Sequence, residues 1–388
     1  MTYKRLGDYI REVNVRNREL KITKLVGLTI DKAFISSVAN VIGTDLSNYK
    51  VIRREQFACS LMQVSRDGKM PVAMFEEDEA IMSPAYPMFE VIDKTELLPQ
   101  YLMMWFSRSE FDREASYYAV GGVRGSLTWE DFLNMRLPIP SIECQREIVS
   151  EYETLSNRIR LNEQMIQKLE ATAQALYRKM FVDGIDKENL PDGWRMGTIG
   201  DLCNISSSKR IFESEYCNKG VPFYRGKEIT QKRNGEQITD LIYISHSRYQ
   251  ELVHNYGKPK CGDILLTAVG TIGNSYMVQD EEFYFKDGNL VWFHTFSMEE
   301  ANTYLYEYMQ SEIFQNVITE IAIGSTQKAL TIQSLLSIRM LIPNKDSIKI
   351  FGEYATNLYK CIQIKQQENS KLKELQSLLL ARMGNIRQ

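Results

Sequence analysis

From Ile148 onward, apolar residues recur at spacings of four and three: Tyr152, Leu155, Ile159, Ile166, Leu169, Ala173, Leu176 and Met180, with Asn162 as a polar interruption. This heptad spacing predicts one long helix over residues 141–181, about 60 Å of helix. A second heptad series runs through Phe351, Ala355, Leu358, Ile362, Leu372, Leu379 and Met383. Lys365, Asn369 and Gln376 interrupt its seam, and it predicts a second long helix over residues 344–388. No proline breaks either segment. Two such helices in one chain predict an antiparallel coiled coil whose polar seam positions set register at some cost in stability; pairing between chains is the alternative.

The pattern ahead of each helix is also written twice. LTWEDFLNMRLPIP (Leu127 to Pro140) returns as LTIQSLLSIRMLIP (Leu330 to Pro343), a shift of 203 residues. At the same shift GGVRGSLT (Gly121 to Thr128) matches GSTQKALT (Gly324 to Thr331), YLMMWFSRSEF matches YLYEYMQSEIF, and KLEATAQALYRKM matches KLKELQSLLLARM. RLGDY (Arg5 to Tyr9) echoes TIGDL (Thr198 to Leu202). Thr128 reads as the N-cap of a short helix, and the segment ending in Pro138 and Pro140 as a short strand that stops where proline removes a ladder donor. The glycines before it allow a close backbone approach. Two copies with so long a period are a duplicated domain in pseudo-twofold arrangement, not a solenoid.

Between the repeated parts lie poorly alignable middles of short β-rich runs bounded by Gly, Asn, Asp and Pro. Helices are predicted over Leu98 to Tyr117 and Met298 to Ile321. VDGIDKENLPDGW (residues 182–194) reads as a linker. GDILLTAVGTIG (Gly262 to Gly273) matches no phosphate-loop or dinucleotide pattern and reads as a tight hairpin. The fold class is α+β.

Composition narrows function. With 44% hydrophobic and 25% charged residues among 388, the chain is that of a globular protein of two or three domains. The charged start TYKRLGDYIREV and the lack of a long apolar run predict a soluble cytoplasmic protein. Six scattered cysteines form no C-x-x-C pair and read as reduced thiols, and three histidines are a poor stock for metal or acid–base chemistry. The net charge of −3 conceals two basic stretches, Lys4 to Lys24 and Lys209 to Arg233. No N-P-P-[FY], G-x-S-x-G or H-E-x-x-H segment and no defensible nuclease-like cluster is present. The chain reads as a non-catalytic recognition protein with no metal or cofactor of its own.

This organisation resembles the DNA-specificity subunit of type I restriction-modification enzymes. The resemblance rests on the two variable domains with similar long helices, LGD near the start, PDGW (Pro191 to Trp194) before IGDL, GDILLT (Gly262 to Thr267), and the LxIP strand before QREIV. Two departures stand out: Glu55-Gln56 replaces Gly-Asp in the first half, and Ser347-Ile348-Lys349-Ile350 replaces the Gln145-Arg146-Glu147-Ile148 helix opening.

The resemblance implies two β-rich target-recognition domains (residues 1–140 and 195–343), spacer helices (141–181 and 344–388) and a linker (182–194). Each domain would read one half of a bipartite, asymmetric double-stranded DNA target. The helix pair would set the gap. Two methyltransferase subunits with S-adenosylmethionine would dock on the helices, and two restriction subunits would supply ATP- and Mg2+-dependent translocation and cleavage. Candidate DNA contacts, chosen by residue type and predicted loop, are Lys32, Gln63, Arg66, Lys69, Tyr86 and Arg124 in the first domain. In the second they are Lys209, Arg225, Lys227, Thr271, Asn274, Lys286, Gln327 and Lys328. A methyltransferase-only system and a coiled-coil scaffold with protein-binding domains are the alternatives.

Overall fold

A computed structural model of the chain describes residues 3–37, 43–62, 64–120, 125–236, 238, 240–298, 300–324 and 328–384. The chain divides into two compact units, Met1–Arg160 with Lys371–Gln388, and Leu161–Ser370.

The first unit contains β1 (Tyr3–Arg5), β2 (Ile10–Glu12), β3 (Val26–Leu28), β4 (Phe34–Ser36), β5 (Lys50–Arg53) and β6 (Phe57–Cys59). A one-turn helix α1 (Val64–Asp67) precedes β7 (Val72–Met74), β8 (Glu79–Met82) and β9 (Met88–Val91). Then come α2 (Pro99–Phe106), α3 (Ser109–Ala119), α4 (Trp129–Asn134), β10 (Arg136–Pro138) and the start of α5 (Ile142–Phe181). The main sheet has the order β2-β9-β6-β7, and β1 pairs antiparallel with β10. Its aromatic core stacks Phe57 on Phe89 at 5.0 Å, with Phe106 and Phe132 edge-on or tilted around them.

The second unit repeats this frame. It holds β11 (Arg195–Thr198), β12 (Asn204–Ser206), β13 (Tyr216–Cys217), β14 (Val221–Tyr224), α6 (Gly226–Arg233), β15 (Ile242–Ile244) and α7 (His246–Tyr256). These lead to β16 (Ile264–Thr267), β17 (Ser275–Met277), β18 (Tyr284–Phe285) and β19 (Leu290–His294). The unit continues with α8 (Ala301–Gln310), α9 (Glu312–Ile321), α10 (Ile332–Leu336), β20 (Arg339–Ile342) and most of α11 (Lys345–Met383). The sheet order β12-β19-β16-β17 matches β2-β9-β6-β7, and β11 pairs with β20 as β1 does with β10. The repeat extends to single bonds: Tyr101 on α2 donates to the Pro138 carbonyl at 3.1 Å, and its counterpart Tyr304 on α8 donates to Leu341 at 2.7 Å. What differs is the insert. The first unit carries the small pairs β3-β4 and β5-β8, whereas the second carries a sheet β13-β15-β14-β18 with α6 and α7.

The long helices pair antiparallel within the chain. In the first unit Gln376 donates to Ser156 at 2.7 Å, and Val149 and Met383 enter one core. In the second, Asn162 donates to Asn369 at 2.9 Å in a buried seam, while farther along Tyr177 and Phe181 pack against Phe351. Two polar interruptions of the second helix therefore bond to the first. The third, Lys365, pairs with Glu368 on its own helix.

Two sequence expectations need correction. The helices predicted as single, Leu98 to Tyr117 and Met298 to Ile321, are each broken in two. Ser107 turns its hydroxyl back to the Met103 carbonyl and ends α2, and Ser311 caps α9 by accepting from the Phe314 N–H. Serine competes locally for backbone groups, which a purely apolar periodicity does not register. The Glu55-Gln56 departure leaves the turn intact. Glu55 adopts φ 64° where Gly262 has 88°, and Gln56 accepts from the Arg53 N–H just as Asp263 accepts from Lys260.

Candidate nucleic-acid interface

In the second unit, five loops converge at the rim of the β12-β19-β16-β17 sheet. The hairpin between β16 and β17 turns through Gly270 (φ 81°) and Gly273 (φ 92°), conformations that suit glycine. Thr267 ties it, its hydroxyl donating to the Thr271 carbonyl and accepting from the Asn274 N–H at 2.9 Å. A bridge between Val269 and Ala329 brings the loop before α10 alongside, so Lys328, Gly270 and Ile272 line one small cavity. On the other side, Ala268 N–H donates to Asn289, which sets the turn after β18 against the hairpin. Ser208 donates to the Phe285 carbonyl at 2.6 Å, and this holds the 207–212 segment over the same turn. The N-terminal end of α6 completes the group, with Gly226 beside Thr267 and the Asn274 amide donating to Thr230 at 2.9 Å.

This convergence gathers Lys209, Arg225, Thr271, Asn274, Lys286 and Lys328 from segments far apart in sequence. Lys209 is exposed and lies over the Tyr256 ring at 4.8 Å. Lys286 is anchored by its backbone N–H to Tyr224. Asn274 is occupied at both ends of its amide, since it also accepts from Arg233 at 2.8 Å. Lys227 points to Asp240 at 3.5 Å. Gln327 lies outside the described residues. Sequence reading missed Arg210 (which pairs with Asp287 at 3.1 Å) and the exposed Phe212. It also missed Glu228, which Arg225 grips. The R-G-K-E spacing at a helix start was the available signal for that pair.

In the first unit a similar junction forms on different parts. Ser65 on α1 reaches the Gly125 carbonyl at 3.4 Å, and Leu127 N–H donates to Leu61 at 2.9 Å, so the loop before α4 lies against α1. Arg66 there is exposed and pairs with Asp67 at 2.7 Å. Lys69 reaches Asp31 at 3.1 Å on the turn between β3 and β4. Lys32 on that turn is half-buried: its ammonium pairs with Asp112 at 2.8 Å and donates to the Phe106 carbonyl. Burial pulls its pKa below the ordinary lysine value, against the opposing pull of Asp112. Tyr86 packs beside a separate small core containing Val26 and Met82. Gln63 and Arg124 lie outside the described residues. Tyr117, Tyr118 and Val120, at the end of α3, are exposed apolar positions that residue-type reasoning passed over.

Among the described residues no cluster of three or more His, Cys, Asp or Glu side chains could hold a metal, and no helix is long and apolar enough to cross a membrane.

A family model described as the type I restriction modification DNA specificity domain matches residues 65–171 and 191–374. The chain belongs to this family. Its relatives include a Haemophilus influenzae protein provisionally described as type I restriction enzyme specificity subunit S.HindORF215P, 28% identical over 228 residues, which is 58% of this chain. The type I restriction enzyme MjaVIII specificity subunit of Methanocaldococcus jannaschii is 24% identical over 66% of the chain. These alignments span 56% and 63% of the two relatives' own lengths. A crystal structure of a type I restriction-modification S subunit from M. genitalium shares the fold, with a TM-score of 0.61 at 12% identity over 100% of this chain and 96% of that one. For this specificity-family chain the matched segments take in the second unit's insert and most of both long helices.

Proposed function

We propose that this chain reads a bipartite DNA sequence for a type I restriction-modification complex, each unit engaging one half-site. The observation that carries the reading is a repeated frame bearing two unlike sets of loops. The β2-β9-β6-β7 and β12-β19-β16-β17 sheets are equivalent, while the inserts and the residues gathered beside them are not. Equal frames suit equal partners, and unequal rims suit unequal half-sites. Arg, Lys, Asn and Thr at the rims are the side chains that contact phosphates and base edges.

In this proposal methyltransferase subunits dock on the helical repeats and carry S-adenosylmethionine. Restriction subunits bring ATP and Mg2+, and the complex works in the cytoplasm. Adenine inside a duplex must be flipped out to be methylated, so the partner enzyme closes on DNA already positioned by the reader. Attraction to phosphate from the partners makes this chain's net charge of −3 tolerable. The experiment is to co-express the chain with a type I methyltransferase subunit from the same genome in an unmethylated host and map modified adenines. A bipartite motif that disappears without this chain supports the reading. No new motif from a stable complex refutes it.

A further inference from the structure

Arg225 stands apart from the other cations of the second unit's rim because a buried carboxylate fixes it. Glu228, one turn into α6, is 1% exposed. Its Oε2 accepts from the Arg225 backbone N–H at 2.8 Å and from Nε at 3.1 Å, and its Oε1 accepts from Nη2 at 2.6 Å. Burial works to raise the Glu228 carboxyl, but these bonds outweigh it and hold the group below its ordinary value, in the charged form. A charge-assisted two-point grip of this kind removes the rotational freedom of a long arginine before any ligand arrives.

The geometry of what remains is informative. Of the five guanidinium N–H bonds, Glu228 engages one on Nε and one on Nη2. Among the described residues Nη1 makes no hydrogen bond, and the side chain is 31% exposed. The end-on fork, one N–H from each terminal nitrogen, is therefore intact and aimed by a rigid brace. Guanine presents N7 and O6 side by side in the major groove, a matching pair of acceptors. The neighbouring Asn274 and the first turn of α6 are locked to each other through Thr230, so the platform under the arginine is itself fixed.

We infer that Arg225 recognises a guanine in the half-site read by the second unit, with Glu228 as the positioning residue that holds its guanidinium for that contact. This rests on the DNA-reading proposal above. A phosphate would also accept a guanidinium fork, but it would gain little from so rigid an orientation, and lysine could replace arginine there.

The test is selection from a randomised duplex library by the complex of full-length chain and co-expressed methyltransferase. Wild type, Arg225→Lys, Arg225→Ala and Glu228→Gln are compared, with thermal melts to check folding. The wild type is expected to require guanine at a defined position of one half-site. Arg225→Lys should relax that preference about 10- to 100-fold while leaving the other half-site and the salt dependence unchanged. Glu228→Gln should relax the same position to a lesser degree. Should Glu228→Gln fail to fold, Arg225→Lys alone decides. A wild-type motif that survives Arg225→Lys unaltered overturns the inference but leaves DNA reading standing. So does a motif without guanine in that half-site, or a loss from Arg225→Ala spread evenly over all sequences. A wild-type complex with no sequence preference refutes the underlying reading.

Discussion

Glu307, on α8, is 2% exposed and ion-pairs with no cation among the described residues. Gln174 on α5 donates to both its carboxylate and its main-chain carbonyl, so this contact seats the long helix on the second unit's core. Burial, with the nearby charge of Glu170 and against the Gln174 bond, pushes the carboxyl up to about 8 from an ordinary 4.5. The other titratable groups facing it are Tyr177 on α5 and Tyr306 on its own helix; Arg233 of α6 acts on Glu170 and Tyr306. The folded state holds a proton that the unfolded chain releases, so this group's contribution to stability is full below pH 4.5 and is lost as pH rises through about 8. Across this window the wild-type denaturant midpoint should fall with pH relative to that of Glu307→Gln. An unchanged slope in the variant would assign the effect elsewhere. Gln145 offers a pH-independent counterpart. It is fully buried and bonds to the backbone of Glu96, Leu98 and Pro140, a role Ile348 replaces with plain apolar packing in the second half. Gln145→Ala should destabilise the first unit by about 1–3 kcal/mol in chemical denaturation, because it strands buried backbone groups.

Among the elements, the long helices were the most legible and the inserts the least. Heptad spacing located both helices, because a seam buried along its length imposes its period on the sequence. The Asn162–Asn369 pair explains two interruptions at once. At the shift of the repeat, Asn162 corresponds to Lys365 and Asn369 to Ile166, so the amide pair occurs at one place only and marks a single register. Asn162→Ala should cost about 1–3 kcal/mol by leaving a buried amide unpaired. Replacing both asparagines by leucine should restore or raise the melting temperature while permitting slipped pairings, detectable by cysteine cross-linking along the seam. The rim of the second unit was only partly readable. Lys209, Arg225 and Lys286 could be chosen as residue types, but their meeting depends on a parallel pairing of β14 with β18 that joins positions some sixty apart. No local periodicity encodes such a pairing. Lys32 shows the opposite failure: its loop was foreseen, while Asp112, which neutralises it, lies on a helix distant in sequence.

For the whole molecule, the repeat carries the functional argument, and the proposed use of the helices as a ruler is open to direct test. Inserting one heptad into both α5 and α11 adds about 10 Å, roughly three base pairs of duplex. The preferred gap should lengthen accordingly, with both half-sites unchanged when modified adenines are mapped. A changed half-site would contradict the ruler.

The first unit is assembled from both ends of the chain. Tyr3 donates to the Gly384 carbonyl, and Leu380 and Met383 lie against the same core as Leu6 and Trp105. The second unit is one uninterrupted stretch, Leu161–Ser370. During synthesis the order of completion is thus reversed relative to the order of translation. The domain begun first stays open along one side until residues 371–384 have been made, while the domain begun later can close before it. A product cut short before Lys371 would carry a finished second unit beside an unsealed first one, with part of its apolar core facing water. Such fragments would be marked for chaperones and proteases by their own exposed surface.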